Sequence, residues 1–397
     1  MSDHTPSSSA EDEPVPDIPE GLDPLFPNPG GIGSPDALVG RARELARLQE
    51  AVVNGGAHVT GERRMGKTML VKKLEDELSD TVTAIYVSAE TSSLDLFGAR
   101  LLDALRKNRV VRQRIGRWEA EVGGEAKISI GVFGVTLHGK ATRSRDSSRS
   151  PEGLDVLDLL ASTGVGPVVL IIDEITHLCH ALGPDDALEF LSGLRSRRQS
   201  GGVPLVISGS IGLHHALRDL RPVNDLWVVQ VGPLARDEAV LLAARLLLGI
   251  EVQPTPDLVA RLLAETSSIP FYLHAVVDRL RYRSDLDVEA VVEECLAEDL
   301  WHTTHYVARI REYYGADNES VVLTMLDAVA MARRPLRVDA LLGLVQAADL
   351  PRRVTRTEMI DLLDKLEKDH YLVRSTKGDR MSSPLLARIW RHHRRLS

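Results

Sequence analysis

The sequence predicts an α/β domain built on a parallel sheet, followed by a region that is helical almost throughout. Between residues 57 and 231, short apolar segments alternate with amphipathic segments of helical spacing, which is typical of βαβ units. The run VVLII at 168–172 is apolar without interruption, as expected of a strand buried on both faces of a sheet. After Gly232-Pro233 only helical periodicity remains.

The elements of the α/β domain follow in a regular order. The first helix comes from LVGRARELARLQEAV, where Leu45, Leu48 and Val52 recur at helical spacing, and it ends at the Asn-Gly-Gly sequence of 54–56. The predicted strands are AHVT, TAIYV (83–87), VVLII (168–172), VPLVIS (203–208) and WVVQV (227–231). The predicted helices between them are TMLVKKLEDEL, LDLFGARLLDALRK and ALEFLSGLRSR.

An insertion precedes the VVLII strand. The segment KISIGVFGVTLHGK alternates apolar and polar residues on both sides of Gly134, which predicts a β-hairpin with one apolar face near 126–140. It is either a surface decoration or a contact for a partner or an oligomer, because a lone hairpin is marginal unless its apolar face is covered.

Four domains are predicted. Residues 1–34, rich in Pro, Ser and acids, cannot bury enough apolar surface to offset ordering, so they form a disordered tail. Residues 35–232 form the α/β domain and 233–316 a helical lid. In 317–397, three helices lead into a strand, a turn at Lys377-Gly378-Asp379 and an apolar return, which predicts a winged helix.

Composition excludes several classes of protein. No apolar stretch reaches the ~18–20 residues of a membrane span, and the N-terminus lacks the pattern of a signal peptide. Two cysteines, Cys179 and Cys295, provide neither a disulfide framework nor zinc-ligand spacing. The expected location is the cytoplasm. The net charge of −9 argues against a uniformly basic nucleic-acid binder, although 351–397 holds twelve Lys and Arg against six acids.

The strongest chemical signal is GERRMGKT at 61–68, which fills every fixed position of G-x-x-x-x-G-K-[ST]. Glycines let backbone amides curl around a phosphate, and the helix that follows adds the partial positive charge of its N-terminus. Lys67 is expected to reach the β- and γ-phosphates, and the Thr68 hydroxyl to bind Mg²⁺. The segment is therefore predicted to be an ATP-binding P-loop.

The second half of the site is VVLIIDEI. Two acids directly after a buried strand form the Walker B pattern, in which Asp173 holds Mg²⁺ and Glu174 orients and deprotonates the attacking water. The strand carrying Asp173 is expected to lie beside the strand of the P-loop.

These motifs resemble the AAA+ superclass of P-loop ATPases, and within it the STAND-like and Orc/Cdc6-like branch of bacterial and archaeal ATPases. The resemblance rests on LVGRARELARL (38–48), GERRMGKTML (61–70), VVLIIDEI (168–175), LVISGSIG (205–212) and VGPLARDEAVLL (231–242). It covers about residues 35–300 and the winged helix.

The resemblance implies further site residues. Val39, Gly40 and Arg41 correspond to the segment against the adenine and ribose, and Ser208 or Ser210 to the position that reads the γ-phosphate. Pro270, in Ser-Ile-Pro where STAND proteins have Gly-x-Pro, is expected near the nucleotide. The full set of expected nucleotide-binding residues is Val39, Gly40, Arg41, Gly61, Glu62, Arg63, Arg64, Met65, Gly66, Lys67, Thr68, Met69, Ser208 and Pro270.

The source of an arginine finger stays open between basic side chains near the fourth strand, each of which could also be surface charge. The candidates are Arg195, Arg197, Arg198, Arg218 and Arg221. If a protein partner or another copy of the chain supplies the finger, turnover depends on assembly. His274 is expected to be a satisfied histidine of the lid, with a phosphate contact as the alternative.

The preferred function is ATP binding with slow or partner-stimulated hydrolysis, in which the nucleotide switches a multidomain regulatory or signalling protein between two states. One alternative is a DNA-associated ATPase, a loader or transposition helper, whose winged helix binds DNA. The predicted recognition helix TEMIDLLDKLEKD carries as many acids as bases or more, which argues against it. A scaffold that binds ATP without turnover is the third interpretation.

Overall fold

The computed structural model describes residues 17–78, 82–109, 111–113, 131–132, 135–136, 167–209, 212–217 and 219–396. They form two compact units. One, here called the ATPase unit, spans Gly33–Val231, and the other, the helical unit, combines the described residues up to Ile32 with those from Gly232 onward.

The elements of the ATPase unit alternate along the chain as the sequence predicts. In order they are α1 (Ala42–Val53), β1 (Gly56–Thr60), α2 (Lys67–Leu78), β2 (Thr83–Ser88), α3 (Leu94–Lys107), β3 (Gly131–Val132), β4 (Val135–Thr136), β5 (Val168–Asp173), α4 (Ile175–Leu182), α5 (Pro184–Gly201), β6 (Leu205–Gly209), α6 (Leu213–Ala216) and β7 (Trp227–Gln230). Short 3₁₀ turns lie at Pro35–Ala37 and Arg221–Val223.

Five strands form one parallel sheet in the order β2-β5-β6-β1-β7. The predicted α/β fold with a parallel sheet is thereby confirmed. The expectation that the Asp173 strand lies beside the P-loop strand is wrong, because β6 lies between β5 and β1. The carboxyl ends of parallel strands share one edge of a sheet, so the P-loop and Asp173 still emerge on the same edge.

Strand β5 lies at the centre of the core. All six of its residues are buried, which explains why VVLII carries no polar residue before Asp173. Apolar residues of α3, α4 and α5 pack with β2, β5 and β6 into one cluster, in which the rings of Phe97 and Phe190 meet edge to face with centroids 5.7 Å apart. This packing fixes the strand end that carries the acidic pair.

The predicted hairpin lies mostly outside the described residues. Its centre is present: β3 and β4 pair antiparallel, with Val132 opposite Val135 across a two-residue connection. This pairing agrees with the predicted bend at 134, and the role of the hairpin stays a prediction.

The helical unit contains nine helices and one hairpin among its described residues. They are α7 (Arg236–Gly249), α8 (Pro256–Thr266), α9 (Pro270–Leu280), α10 (Val288–Ala297), α11 (His305–Tyr314), α12 (Ala316–Met331), α13 (Val338–Ala347), α14 (Arg356–Lys368), β8 (Leu372–Ser375), β9 (Gly378–Met381) and α15 (Pro384–Arg394). The predicted lid and the predicted winged helix fall in this one unit. Helices α12 to α14 followed by the antiparallel β8-β9 pair match the predicted element order, and the winged-helix assignment stays a prediction.

The basic C-terminal helix α15 is tied into the helical unit. Trp390 is fully buried, and its indole N–H donates to Asp327 at 2.8 Å. Arg394 pairs with the same carboxylate at 2.8 Å, and Arg388 pairs with Glu265 and Glu293. Much of the basic charge predicted at this end is therefore used inside the unit.

Residues 17–34, part of the tail predicted over 1–34, follow a defined path in the structure, and the disorder of the tail stays a prediction. The N–H of Leu25 donates to the Arg245 carbonyl at 2.8 Å, and Nε of Arg245 donates to the Asp23 carbonyl at 2.9 Å. Gly249 has no side chain at the point where the Leu25 carbonyl comes closest. These backbone contacts hold the segment without burying much apolar surface, which an argument from composition does not detect. Residues 1–16 lie outside the described part.

None of the helices in the described ranges is both long and apolar enough to span a membrane.

Candidate nucleotide-binding site

The P-loop, residues 61–68, connects β1 to α2 and turns sharply on itself. Arg64 and Gly66 have positive φ values of 74° and 87°. Gly61 is required by a close approach, because a Cβ there would lie 2.2 Å from the Val231 carbonyl oxygen. Both fixed glycines are therefore required by the backbone of this loop. Lys67 and Thr68 follow in the first turn of α2.

The ammonium group of Lys67 is hydrogen-bonded to the start of this loop. It donates to the carbonyl oxygens of Gly61 and Glu62, both at 2.8 Å, and the side chain is buried. Glu62 and Met65 are buried as well, whereas Arg63 is exposed and Arg64 and Met69 are half-buried. A buried cation beside a helix N-terminus is the arrangement that binds a polyphosphate.

Asp173 ends β5 and is the centre of the hydrogen bonding at the site. Its Oδ2 accepts from the Thr68 hydroxyl at 2.8 Å and from the Tyr86 hydroxyl at 2.9 Å. Its Oδ1 accepts from the Ser208 hydroxyl and from the Glu174 N–H, the latter at 3.1 Å. The carboxylate is only 3% exposed, so these donors compensate for the loss of water.

Glu174 follows in the left-handed conformation, with φ of 55°. Its N–H lies 3.1 Å from Asp173 and 3.4 Å from the Ser208 hydroxyl oxygen, and helix α4 begins at the next residue. A non-glycine residue in this conformation costs about 1–2 kcal/mol. The two adjacent acids differ in exposure, because Asp173 is buried and Glu174 is half-buried.

Two polar residues of the neighbouring strands complete the acid site. Ser208, predicted to read the γ-phosphate, is buried on β6 and donates to Asp173. Tyr86 on β2 was not predicted; the available signal is that it is the one aromatic residue with a hydroxyl in the apolar run TAIYV. Burial and the Asp173 charge raise the pKa of the Tyr86 phenol, so it stays a neutral donor. Ser210, the alternative to Ser208, lies outside the described residues.

The segment expected at the adenine contacts the P-loop through Arg41. Val39 and Arg41 are buried, and Gly40 and Arg41 both have positive φ. The Arg41 guanidinium donates to the Met65 carbonyl at 3.0 Å and pairs with Glu44 at 2.9 Å. Arg41 therefore braces the loop.

Pro270 is the one expected binding residue that belongs to the helical unit. It opens α9 directly after Ser267 and Ser268, which have positive φ values of 52° and 56°. Its role at a nucleotide stays a prediction. In the same helix, His274 accepts the Asn28 N–H through Nδ1 at 3.1 Å, which agrees with the expected satisfied histidine.

The arginine-finger candidates near β6 are engaged within the ATPase unit. Arg198 pairs with Asp225 at 2.5 Å, and Arg195 donates to the Arg221 carbonyl at 2.6 Å. Arg221 pairs in turn with Asp219. Arg218 lies outside the described residues. Through these contacts Arg195 and Arg198 connect α5 to residues 221–225, which is a structural role.

The residues present fit Mg²⁺ and a nucleoside triphosphate. Thr68 and Asp173 offer a hydroxyl and a carboxylate oxygen 2.8 Å apart, and hard oxygen ligands are those that Mg²⁺ prefers. Lys67 and the start of α2 supply the positive charge that phosphates need. Fold and site together define a P-loop nucleoside triphosphatase.

Residues 54–217 match the family model described as the AAA domain, which covers the P-loop, the acidic pair and Ser208. These residues therefore carry an AAA domain of the P-loop ATPase type. No protein with a curated description matches the sequence significantly.

Solved structures share the fold at low sequence identity. The Walker-type ATPase PABY2304 of Pyrococcus abyssi is 16% identical with a TM-score of 0.63, over 90% of this chain and 97% of that one. The ORC2 protein of Aeropyrum pernix is 12% identical with a TM-score of 0.48, over 95% and 98% of the two chains. The RuvB branch-migration motor of Thermotoga maritima is 14% identical with a TM-score of 0.39, over 87% and 93%. At these identities the first likeness shows the fold alone.

Proposed function

We propose that this protein binds Mg²⁺ and ATP at the P-loop, hydrolyses ATP slowly, and uses the nucleotide state to switch the arrangement of its two units. The observation that carries the hydrolytic half is the contact between Thr68 and Asp173, because it joins the two predicted metal ligands from the first turn of α2 and the end of β5. Bound Mg²⁺ neutralises charge on the phosphates. Lys67 binds phosphate oxygens, and Glu174 orients the attacking water and takes its proton.

The proposed change between units rests on contacts that the P-loop makes near the two ends of the ATPase unit. The C-terminal exit is Val231, whose N–H donates to the Thr60 carbonyl at 2.8 Å and whose own carbonyl covers Gly61. On the N-terminal side, Arg41 binds the Met65 carbonyl. The C-terminal exit therefore contacts Gly61 and the residue before it, and Arg41, eight residues after the start of the unit, contacts the P-loop as well. A P-loop that rearranges around ATP would move the C-terminal connection, which supports a nucleotide-dependent change between units.

Turnover is expected to be slow in the isolated chain and faster with a protein partner or a second copy. Arg195 and Arg198 are held by contacts of their own, which supports supply of the arginine by another molecule. Such an arginine is worth ~10³–10⁵ in rate. We place the protein in the cytoplasm.

The test combines turnover with a distance between the units. Glu174→Gln is expected to lower ATP turnover by about 10²–10⁴ while ATP still binds, because a general base contributes that much. The exposed Glu189→Gln removes the same charge on α5 and should turn over ATP like the wild type. One fluorophore in each unit then reports the inter-unit distance by energy transfer with no nucleotide, with ADP, and with ATP in the Glu174→Gln variant.

Different distances in the ADP and ATP states support the switch. Equal distances with normal turnover in the wild type would reject the switch and leave a simple ATPase. Binding of ATP without turnover in the wild type, at any protein concentration, would favour the scaffold interpretation.

A second candidate function, binding of duplex DNA, is favoured by one feature of the helical unit. Five exposed basic residues lie on β9, its turn and the chain before α13, and within the described residues none of their side chains forms an ion pair. They are Arg333, Arg334, Arg337, Lys377 and Arg380. Reciprocal hydrogen bonds of 2.9 and 2.8 Å join Leu336 to Asp379, so the two stretches of chain run side by side. Gly378 permits this approach, since a Cβ would lie 2.7 Å from the Leu336 carbonyl.

In the predicted recognition helix α14, three charged side chains already form ion pairs within the helical unit. Its Arg356 pairs with Asp339 at 2.9 Å, its Glu358 with Arg352 at 3.0 Å, and its Asp364 with Arg374. Any DNA contact is therefore expected to go to phosphates from the β9 edge.

The test is the salt dependence of binding to a labelled duplex. Replacing Arg333, Arg334 and Arg337 together by Ala should reduce the slope of log K against log salt by about 0.9 for each phosphate that the variant no longer neutralises. Lys365→Ala with Lys368→Ala on α14 is the matched control and should leave the slope unchanged. An unchanged slope in the triple variant, or no binding by the wild type, would reject this function.

A further inference from the structure

The carboxylate of Asp173 lies among four hydrogen-bond donors, two on each oxygen. The donors on Oδ2 are Thr68 and Tyr86, and those on Oδ1 are Ser208 and the Glu174 N–H. Two of these, Thr68 and Glu174, already have roles in the proposed reaction. Ser208 was expected to read the γ-phosphate, and Tyr86 was not expected at the site.

The register of the sheet brings Tyr86 to this position. Strands β2 and β5 pair in parallel with Tyr86 opposite Ile171 and Ser88 opposite Asp173. Tyr86 therefore stands two residues before the level of the carboxylate, and the length of its side chain brings the hydroxyl up to Oδ2 at 2.9 Å. A shorter polar residue at position 86 would not reach.

The ring of Tyr86 is also held from the side of the P-loop helix. The Lys72 ammonium on α2 lies 3.9 Å from the ring centroid, within the range of a cation–π contact. Lys72 stands five positions after Lys67 on the same helix. The tyrosine thus connects the helix that follows the phosphate loop to the acid at the end of β5, and its orientation is fixed at both the ring and the hydroxyl.

We propose that Tyr86 is a positioning residue for the Mg²⁺ site: its hydroxyl holds Oδ2 of Asp173 in the orientation that the metal requires. The proposal rests on the proposed ATPase function. Thr68 would offer an oxygen lone pair to the metal while its hydroxyl hydrogen points to Oδ2, so Tyr86 is the donor on this oxygen that is not itself a predicted metal ligand. Outer-shell hydrogen bonds of this kind orient a ligating carboxylate, and their loss typically costs 10–100-fold in metal affinity.

The test measures metal binding directly, with Mn²⁺ in place of Mg²⁺. Free Mn²⁺ is followed by electron paramagnetic resonance while it is titrated into the full-length protein with ADP. Tyr86→Phe, which removes one oxygen and keeps the ring, is expected to weaken Mn²⁺ binding by about 10-fold or more. Its affinity for ADP in the presence of EDTA should stay at the wild-type value, because no P-loop group has changed.

Tyr314→Phe is the matched control. Tyr314 is a buried tyrosine of the helical unit whose hydroxyl also donates to a carboxylate, that of Asp369, at 2.6 Å. It loses the same kind of bond, so any general loss of stability is shared, but its Mn²⁺ affinity should not change.

A second variant guards against misfolding. Replacing Tyr86 by 4-aminophenylalanine keeps a donor at the same place on the ring and should retain Mn²⁺ affinity close to that of the wild type. The proposal is overturned if a folded Tyr86→Phe binds Mn²⁺ within about twofold of the wild type, or if the amino variant is as weak as Tyr86→Phe. Failure of the ATPase proposal would look different, since the wild type itself would then bind neither ADP nor Mn²⁺.

Discussion

Oγ1 of Thr68 lies 2.8 Å from Oδ2 of Asp173, although the two residues are 105 positions apart in sequence. Strand β6 separates β5, which ends at Asp173, from β1, which precedes the P-loop. The contact forms because α2, which begins at the P-loop, packs across β6 and β5 as well as β2. The first turn of this helix therefore brings Thr68 over the end of β5.

The hydroxyl of Thr68 should be required for use of the metal, and the methyl group should not. Thr68→Val keeps the shape and removes the oxygen, so the Mg²⁺ concentration for half-maximal ATP turnover is expected to rise by about 10-fold or more. Thr68→Ser keeps the oxygen and should behave like the wild type. Turnover measured over a series of Mg²⁺ concentrations distinguishes them, and equal Mg²⁺ dependence in the two variants would contradict the assignment of Thr68 as a ligand.

The two fixed glycines of the P-loop should differ in their cost of substitution. At Gly61 a Cβ would lie 2.2 Å from the Val231 carbonyl, so Gly61→Ala forces two backbones apart and should lower the free energy of unfolding by about 3 kcal/mol or more. At Gly66 nothing lies within 4 Å, and only the positive φ of 87° is strained. Gly66→Ala should therefore cost about 1–2 kcal/mol. Urea unfolding measures both, and the reverse order would show that Val231 does not constrain the loop.

Arg41 should matter more for stability than its exposed neighbour Arg43. The Arg41 guanidinium is 2% exposed and binds both the Met65 carbonyl and Glu44, so Arg41→Ala leaves buried groups without their partner. We expect a loss of about 3 kcal/mol, as for other broken buried ion pairs, together with weaker ATP binding. Arg43→Ala on the same helix should stay within about 0.5 kcal/mol of the wild type. Equal effects in urea unfolding would mean that Arg41 does not brace the P-loop.

Much of the ATPase unit could be predicted because its signals are local. The periodicity of the strands and helices, the fixed residues of the P-loop and the acids after VVLII each lie in a short stretch of sequence. Tyr86 could not be predicted in the same way. Its partner is on another strand, and only the register of β2 against β5 shows that its hydroxyl reaches Asp173.

The order of the strands was not predicted for the same reason. The order of strands depends on which connections cross the sheet, and no local pattern reports that β6 lies between β1 and β5. The segment from 17 to 34 was expected to be disordered because its composition is polar. Its order comes from backbone hydrogen bonds to Arg245 and His274, more than 200 positions away, which composition does not encode.

The contact between this segment and α9, within the helical unit, should be sensitive to acid. Burial lowers the pKa of His274 to about 4, from an ordinary value of 6.5, and its Nδ1 accepts the Asn28 N–H at 3.1 Å. The unfolded chain therefore takes up a proton at a higher pH than the folded protein does. The stabilisation is complete above about pH 6.5 and is lost as the pH falls toward 4. For one histidine this amounts to about 2 kcal/mol between pH 7.5 and pH 5.

His274→Gln should remove that share of the pH dependence, because the amide oxygen can still accept the Asn28 N–H and does not titrate in this range. Burial also lowers the pKa of His58, in β1, to about 4, so the ATPase unit keeps a dependence of its own. The exposed His392→Gln is the matched control and should follow the wild type. Urea unfolding of all three proteins at pH 7.5 and pH 5 makes the comparison. If His274→Gln loses as much stability in acid as the wild type does, His274 is not the group whose protonation destabilises the helical unit.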